Sequence, residues 1–307
     1  MRPFELSSPT SQDQAITQVA QHDGAKYIAG GTNLIDLMKE DVERPELLVE
    51  TFGLGMDTIA EAVGGGLLLG ASVSNADTAY HPQVQKRYPL LSLAILAGAS
   101  PQLRNMATNG GNMLQRTRCY YFYDTDTACN KRNPGSGCPA IKGYNRIHAI
   151  LGHSEHCIAT YPGDMAVALH ALDATLHLKG PERERTIKLV DFHRLPGDTP
   201  ERDNHLQPNE LITAIELPPE GFADHSAYLK IRDRQSYAFA LVSVAAALRL
   251  EGGVIAQARL ALGGVAHKPW RDQEAESMLT GQAPEPELFG RVADKVRWRQ
   301  RIRPQLL

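Results

Sequence analysis

The chain has 307 residues, 42% hydrophobic and 22% charged, with 32 Lys and Arg against 35 Asp and Glu and a formal net charge of −3 at pH 7. Such a length and balance describe a globular chain with room for two or three domains and exclude a fibrous or disordered one. They also exclude nucleic-acid binding through a concentrated basic face, since the basic run Lys295 to Arg303 reads as a solvated tail, and no window reaches the 18 consecutive apolar residues of a membrane helix. At the start of the chain, Met1-Arg2-Pro3-Phe4-Glu5-Leu6 has neither an apolar core nor a small-residue cleavage site, so no export address of its own is expected.

Residues Lys26 to Ala29 predict a short strand, Gly30-Gly31-Thr32-Asn33 a tight turn, and Leu34, Ile35, Leu37 and Met38 the start of a helix. Paired glycines let a backbone approach a ligand closely, and the free amides of a helix start favour an anion such as a diphosphate. Gly64-Gly65-Gly66 before Leu67-Leu68-Leu69 predicts a structural hairpin. Leu90 to Ala99 predicts an amphipathic helix leading into Arg104-Asn105-Met106-Ala107-Thr108-Asn109-Gly110-Gly111-Asn112-Met113, a second glycine turn. Two such turns suit a long cofactor gripped at two places.

All four cysteines, Cys119, Cys129, Cys138 and Cys157, follow in one segment with the spacing C-x9-C-x8-C-x18-C. That spacing lacks the close pairs of a zinc ribbon, and a chain of this size needs no disulfide staples. Arg116, Arg118, Lys131 and Arg132 are placed to offset negative charge, and Tyr120, Tyr121, Phe122 and Tyr123 to exclude water. Both are requirements of a [4Fe-4S] cluster held by four thiolates. Structural zinc and two disulfides remain as alternatives, and His153 or His156, beside Cys157, as a replacement ligand.

Beyond the cysteines, Tyr161-Pro162-Gly163-Asp164 precedes a buried helix from Met165 to Leu172, and strands are expected at Ala174 to Leu178 and Leu211 to Leu217. Pro218-Pro219 suggests a boundary near residue 220. A strand at Ala227 to Ile231, an apolar stretch from Ala238 to Leu250 and a strand at Ile255 to Leu262 outline a small α+β domain.

Taken in order, Ala29-Gly30-Gly31-Thr32-Asn33-Leu34, the second glycine turn, Tyr161-Pro162-Gly163-Asp164, Tyr228-Leu229-Lys230, Tyr237-Ala238-Phe239-Ala240-Leu241 and Leu262-Gly263-Gly264-Val265-Ala266 resemble the FAD-binding subunit of the molybdenum hydroxylases. This is the xanthine dehydrogenase and aldehyde oxidoreductase family. The resemblance implies an α+β fold: a two-lobed FAD-binding domain of the molybdenum hydroxylase flavoprotein (PCMH) type over residues 1–220, then a small α+β domain over 221–307. In relatives a short spacer links the second glycine turn to the aspartate; here 51 residues separate Asn112 from Asp164, and all four cysteines lie among them. An insert at about 113–160 that carries a [4Fe-4S] cluster looks most like the medium subunit of bacterial periplasmic aldehyde oxidoreductases.

By that resemblance Lys26, Tyr27, Ile28, Ala29, Gly30, Gly31, Thr32, Asn33 and Leu34 would hold the FAD diphosphate, and Thr108, Gly111 and Asn112 would form the second grip. Asp164 would bond a polar edge of the cofactor, Ile212 would meet the flavin through its backbone, and Lys230 would sit near its pyrimidine or a phosphate. A plain helix cap is the alternative for Asp164 and a solvated strand end for Lys230. Cys119, Cys129, Cys138 and Cys157 would ligate the cluster, and no residue here would bind the aldehyde. The implied partners are a small [2Fe-2S] subunit and a large molybdenum-cofactor subunit in a heterotrimer, plus an external electron acceptor. The implied compartment is the periplasm, by co-export with a signal-bearing partner, with the cytoplasm as the alternative. No G-x-G-x-x-G follows a strand, so a ferredoxin-like, quinone or dioxygen acceptor is expected in place of a nicotinamide.

A self-sufficient flavin oxidase, with His22 as its candidate covalent attachment, and a zinc-stabilised assembly protein are the competing readings. The insert is expected to be separate from both glycine turns. Arg297 to Pro304 replaces the apolar helix that usually ends the family, leaving the C-terminal helix short or divergent.

Overall fold

The computed structural model of the chain describes residues 1–298. Helices and strands mix throughout. The first lobe is a parallel three-stranded sheet in the order Glu5–Ser7, Leu47–Glu50, Lys26–Ile28, with Tyr27 opposite Val49. Helix Gln12–Gln21 covers it with Ala15, Ile16 and Val19 and starts at Ser11, whose hydroxyl accepts the Gln14 amide at 3.2 Å. Lys26–Ile28 is the strand expected before the first glycine turn; neither this helix nor the other two strands have a motif to announce them.

The second lobe is a five-stranded antiparallel sheet in the order Ile59–Glu61, Leu67–Gly70, Leu211–Leu217, Thr175–Lys179, Glu184–Lys188. The hairpin expected at Gly64 to Gly66 joins its first two strands, with Gly65 at φ +84°. Helix Met165–Ala171 packs against helix Pro89–Ala97 and strands Val242–Glu251 and Val254–Gly263 and is buried at every position, as the unbroken apolar run predicts. Helix Pro89–Ala97 differs from its amphipathic reading. Leu90, Leu91, Ala94 and Ile95 are all buried because it is packed between Met165–Ala171, Asn75–Tyr80 and the third sheet, and Leu93 is its exposed large apolar residue.

The third sheet is antiparallel in the order Trp270–Arg271, Val254–Gly263, Val242–Glu251, Ser226–Ile231. The apolar stretch from Ala238 therefore begins as a loop and becomes a strand at Val242. Helices Gln273–Leu279 and Pro286–Trp298 close a small core with Leu288 and Val292 turned inward, so the family's terminal helix is present. Its described part includes the start of the basic segment; the part of that segment after Trp298 lies outside the described residues. Among the described residues no helix is long and apolar enough to cross a membrane.

Candidate functional site

The two glycine turns meet. A Cβ placed on Gly30 would lie 1.7 Å from the Met106 carbonyl oxygen, so only glycine lets the first turn seat against the segment that leads into the second. Gly31 has φ +68°, which frees the backbone to turn into helix Leu34–Lys39. Thr108 caps the short helix Asn109–Met113, its hydroxyl accepting the Gly111 amide at 3.3 Å. Between the turns runs a cavity of about 1130 Å³, above the usual range for small-ligand sites and long enough in its wall to suit a dinucleotide.

Every residue from Lys26 to Leu34 lines this cavity, as do Thr108, Gly111, Asn112 and Asp164. The Asn33 side chain is divided in role. Its Oδ1 accepts the Arg116 amide at 2.8 Å, while its Nδ2 is buried with no protein partner. A buried amide donor left over on the wall fits an anionic ligand that accepts from it.

Asp164 stands at the N-cap position of helix Met165–Ala171 but makes no cap bond. Tyr228 donates its hydroxyl to Oδ1 at 2.7 Å and Lys230 donates Nζ to Oδ2 at 2.8 Å, both from the edge strand Ser226–Ile231. Lys230 also donates to the Ala97 carbonyl at 3.1 Å. Its side chain is 4% exposed, which removes the solvated strand-end alternative. Lys230 is not on the cavity wall; it acts on the wall through Asp164. Ile212 is buried in the central strand Leu211–Leu217 and is likewise off the wall, two residues beyond Glu210, which is on it.

The insert wraps from the second turn around a core of its own. Cys119, Cys157, Phe122, Ala140, Ile158 and Ala159 are buried together, with Cys129 and Cys138 packed against them. All four thiols are free. Burial pushes Cys119 up to about 12 and Cys157 up to about 11, the Lys131 ammonium pulling the latter back down; burial raises Cys138 as well. Backbone amides point at the sulfurs: Ala159 to Cys157 at 3.4 Å, Phe122 and Tyr121 to Cys119, and Ile158 and Ile141 to Cys138. Two buried and two half-buried free thiols with amide donors around them are a set that an iron–sulfur centre could use. Among the described residues no three His, Cys, Asp or Glu side chains close on a point as a single ion requires.

The roles given to neighbouring side chains need correction. The single turn Tyr120–Tyr123 buries Phe122 among the cysteines with Tyr121 and Tyr123 packed against them, while Tyr120 lines the large cavity and Tyr123 borders both. Of the four basic residues, Lys131 acts electrostatically on Cys157 while its ammonium bonds Asp203 and the Pro200 carbonyl. Arg132 is spent on the Tyr121, Asp124 and Thr127 carbonyls, and Arg118 lies over the Phe239 ring at 5.1 Å. His156 turns toward Asp198 at 3.5 Å, whereas His148, which no motif flagged, places Nε2 3.1 Å from Cys119 Sγ. His22 bonds the Gln18 carbonyl and does not line the cavity. The insert is not separate from the glycine turns, since Arg116, Arg118, Tyr120 and Tyr123 form part of the same wall.

Comparison with known proteins agrees with this geometry. A family model described as the FAD binding domain in molybdopterin dehydrogenase matches residues 2–220, and one described as the CO dehydrogenase flavoprotein C-terminal domain matches residues 227–304. The chain is 52% identical over 281 residues to the aldehyde oxidoreductase FAD-binding subunit PaoB of Escherichia coli (strain K12), covering 91% of this chain and 87% of that one. It is 28% identical over 294 residues to the glyceraldehyde dehydrogenase medium chain of Sulfolobus acidocaldarius, covering 95% and 86%. Among solved structures, carbon monoxide dehydrogenase from Hydrogenophaga pseudoflava superposes with a TM-score of 0.73 at 26% identity, over 95% of this chain and 85% of that chain.

Proposed function

The chain belongs to the family of FAD-binding domains in molybdopterin dehydrogenases, as a flavoprotein subunit of that class, and from that premise we propose that it is the FAD- and [4Fe-4S]-bearing electron-transfer subunit of a heterotrimeric aldehyde oxidoreductase. In this reading a large molybdenum-cofactor subunit oxidises the aldehyde to a carboxylic acid, and a small [2Fe-2S] subunit delivers the electrons. The same reading divides the chain near residue 220 and places the complex in the periplasm through the signal of a partner. The single observation that carries it is a dinucleotide-sized cavity whose wall shares Leu37 and Tyr123 with a core around four free cysteines, two of them buried.

When bound, FAD accepts electrons in pairs and releases them singly or in pairs, and a [4Fe-4S] cluster handles them one at a time. The residues supply the rest. Lys26 and the Asn33 Nδ2 donor offer positive charge and a hydrogen bond to a diphosphate, and the Thr108 turn offers amides at the second grip. Asp164, fixed by Tyr228 and Lys230, presents an oriented carboxylate to a cofactor N–H or O–H. Tyr120, Tyr123, Tyr237 and Phe239 border the cavity mouth and limit water there. Without a dinucleotide fingerprint, the acceptor is a ferredoxin-like protein, a quinone or dioxygen.

Purifying the chain with its partners and measuring FAD, iron and acid-labile sulfide tests the reading. One FAD and four irons in this subunit, with the iron lost in Cys129→Ser and Cys119→Ser, are expected. Full iron in both variants, zinc in place of iron, or aldehyde oxidation by the isolated chain would each overturn it. A cytoplasmic location in cell fractionation would overturn the export part alone.

A further inference from the structure

The cavity and the cysteine core are joined by a line of charges that no motif foreshadows. Lys26 meets Glu43 at 2.7 Å, Glu43 meets Arg116 at 2.7 Å, Arg116 meets Asp203 at 2.8 Å and Asp203 meets Lys131 at 2.6 Å. Signs alternate along it, and each end is a cation. Lys26 lines the cavity beside the diphosphate turn. Lys131 is buried between Cys129 and Cys138 in sequence, donates also to the Pro200 carbonyl at 2.6 Å, and acts electrostatically on Cys157.

Arg116 is the central member. Its backbone amide donates to Asn33 Oδ1, on a residue of the cavity wall, and its guanidinium lies 4.7 Å from the centre of the Phe122 ring, inside the cysteine core. It thus touches the diphosphate turn, both carboxylates of the line and the helical turn after Cys119. The network is fully paired and runs from Lys26, 42% exposed, through part-buried Glu43, Arg116 and Asp203 to buried Lys131, and pairing along it restricts the arrangements of its members, so ordering one end restricts the other. None of the four cysteines lines the cavity, so a cofactor there cannot shield them directly.

We propose that Arg116 is a positioning residue that couples FAD occupancy to the order of the cysteine loop, through the line Lys26–Glu43–Arg116–Asp203–Lys131. The proposal rests on the cavity being the FAD site and the loop being the cluster site. By linkage the coupling is reciprocal: filling either site favours the other by the same factor.

The test uses the full chain freed of iron, so that it does not depend on the identity of the metal centre. The rate at which the four thiols react with a maleimide is measured with and without FAD. Protection of at least about fivefold by FAD is expected in the wild type, the lower range of site-to-site coupling. In Arg116→Gln and in Asp203→Asn the two rates should agree within about twofold, whereas Arg87→Gln, which breaks the remote pair with Glu61, should keep the wild-type ratio. A ratio within each variant cancels general loosening of the fold. No protection in the wild type, or full protection in both Arg116→Gln and Asp203→Asn, overturns the coupling. Failure of the wild type to bind FAD overturns both it and the function proposed above, while FAD-dependent protection in a chain that never takes up iron would leave the coupling standing and remove the cluster.

Discussion

Asp164 shows how a residue's neighbours decide its work. From the sequence it precedes a helix and is an equally good cap; in the fold its side chain faces away from the helix amides and is claimed by Tyr228 and Lys230. Those partners come from a strand 64 and 66 residues later, so local spacing could not announce the pairing. Lys230→Met should leave a buried carboxylate unpaired, at a cost of about 3–5 kcal/mol. In thermal melts the variant should unfold well below the wild type and hold FAD more weakly. Asp164→Leu combined with Lys230→Met should recover part of the loss, and equal melting of the single and double variants would show that the pair is not coupled. Gly30 was legible as half of a glycine pair, although the close approach that requires it is to Met106, far along the chain. In Gly30→Ala the added Cβ must displace the Met106 carbonyl, so the chain should express folded but bind FAD at least tenfold more weakly, a loss of about 1.4 kcal/mol or more. A flavin titration that matches the wild type would mean that the two turns do not need this approach.

At the scale of elements, the parts with strong period or unbroken apolar runs were legible: helix Met165–Ala171 and strands Leu211–Leu217, Ser226–Ile231 and Val254–Gly263. Of the parallel three-stranded sheet only Lys26–Ile28 was legible, through the glycine turn that follows it; Glu5–Ser7 and Leu47–Glu50 are three and four residues long and carry no alternation to detect. Nor could composition assign the aromatic run after Cys119 to two sites. One helical turn sends neighbouring residues to different sides, so Phe122 goes to the sulfurs, Tyr120 goes to the cavity and Tyr123 borders both. Phe122→Ala should therefore act on the metal side. Removing a fully buried ring should cost about 3–5 kcal/mol and open the cysteine core to water. Chelator-driven iron loss should speed up far more than FAD release. A variant that sheds FAD and retains iron would place the ring on the wrong side of the helix.

For the whole molecule, the joint between the flavin-domain sheet and the C-terminal sheet is built on buried imidazoles. His193 follows helix Leu189–Phe192 and bonds the Met113 carbonyl; His267 follows the last glycine motif and bonds the Arg194 carbonyl, both at 2.9 Å. His193 also packs against Tyr161, with ring centres 4.5 Å apart, and Tyr161 donates its amide to the Ala266 carbonyl across the same joint. Burial lowers His193 to about 4 and His267 to about 4, so both are neutral in the folded chain. Burial opposes ionisation of Asp203 too, but the Lys131 and Arg116 charges outweigh it and hold that carboxyl well below its ordinary value. An unfolded chain has both imidazoles near 6.5 and takes up protons there that the folded chain refuses, so stability rises with pH between about 4 and 6.5. It is complete above that window and is lost as pH falls through it, by up to about 3 kcal/mol for each imidazole, with Asp203 adding to the loss at still lower pH. Denaturant midpoints of the FAD-loaded chain should be level from pH 8 to 7 and fall steadily from 6.5 toward 4.5. His267→Gln should flatten that slope, whereas His225→Gln, on an exposed residue, should not. A midpoint that stays level to pH 5 would mean that these rings are already charged in the folded protein, or that the joint between the two sheets is open to water.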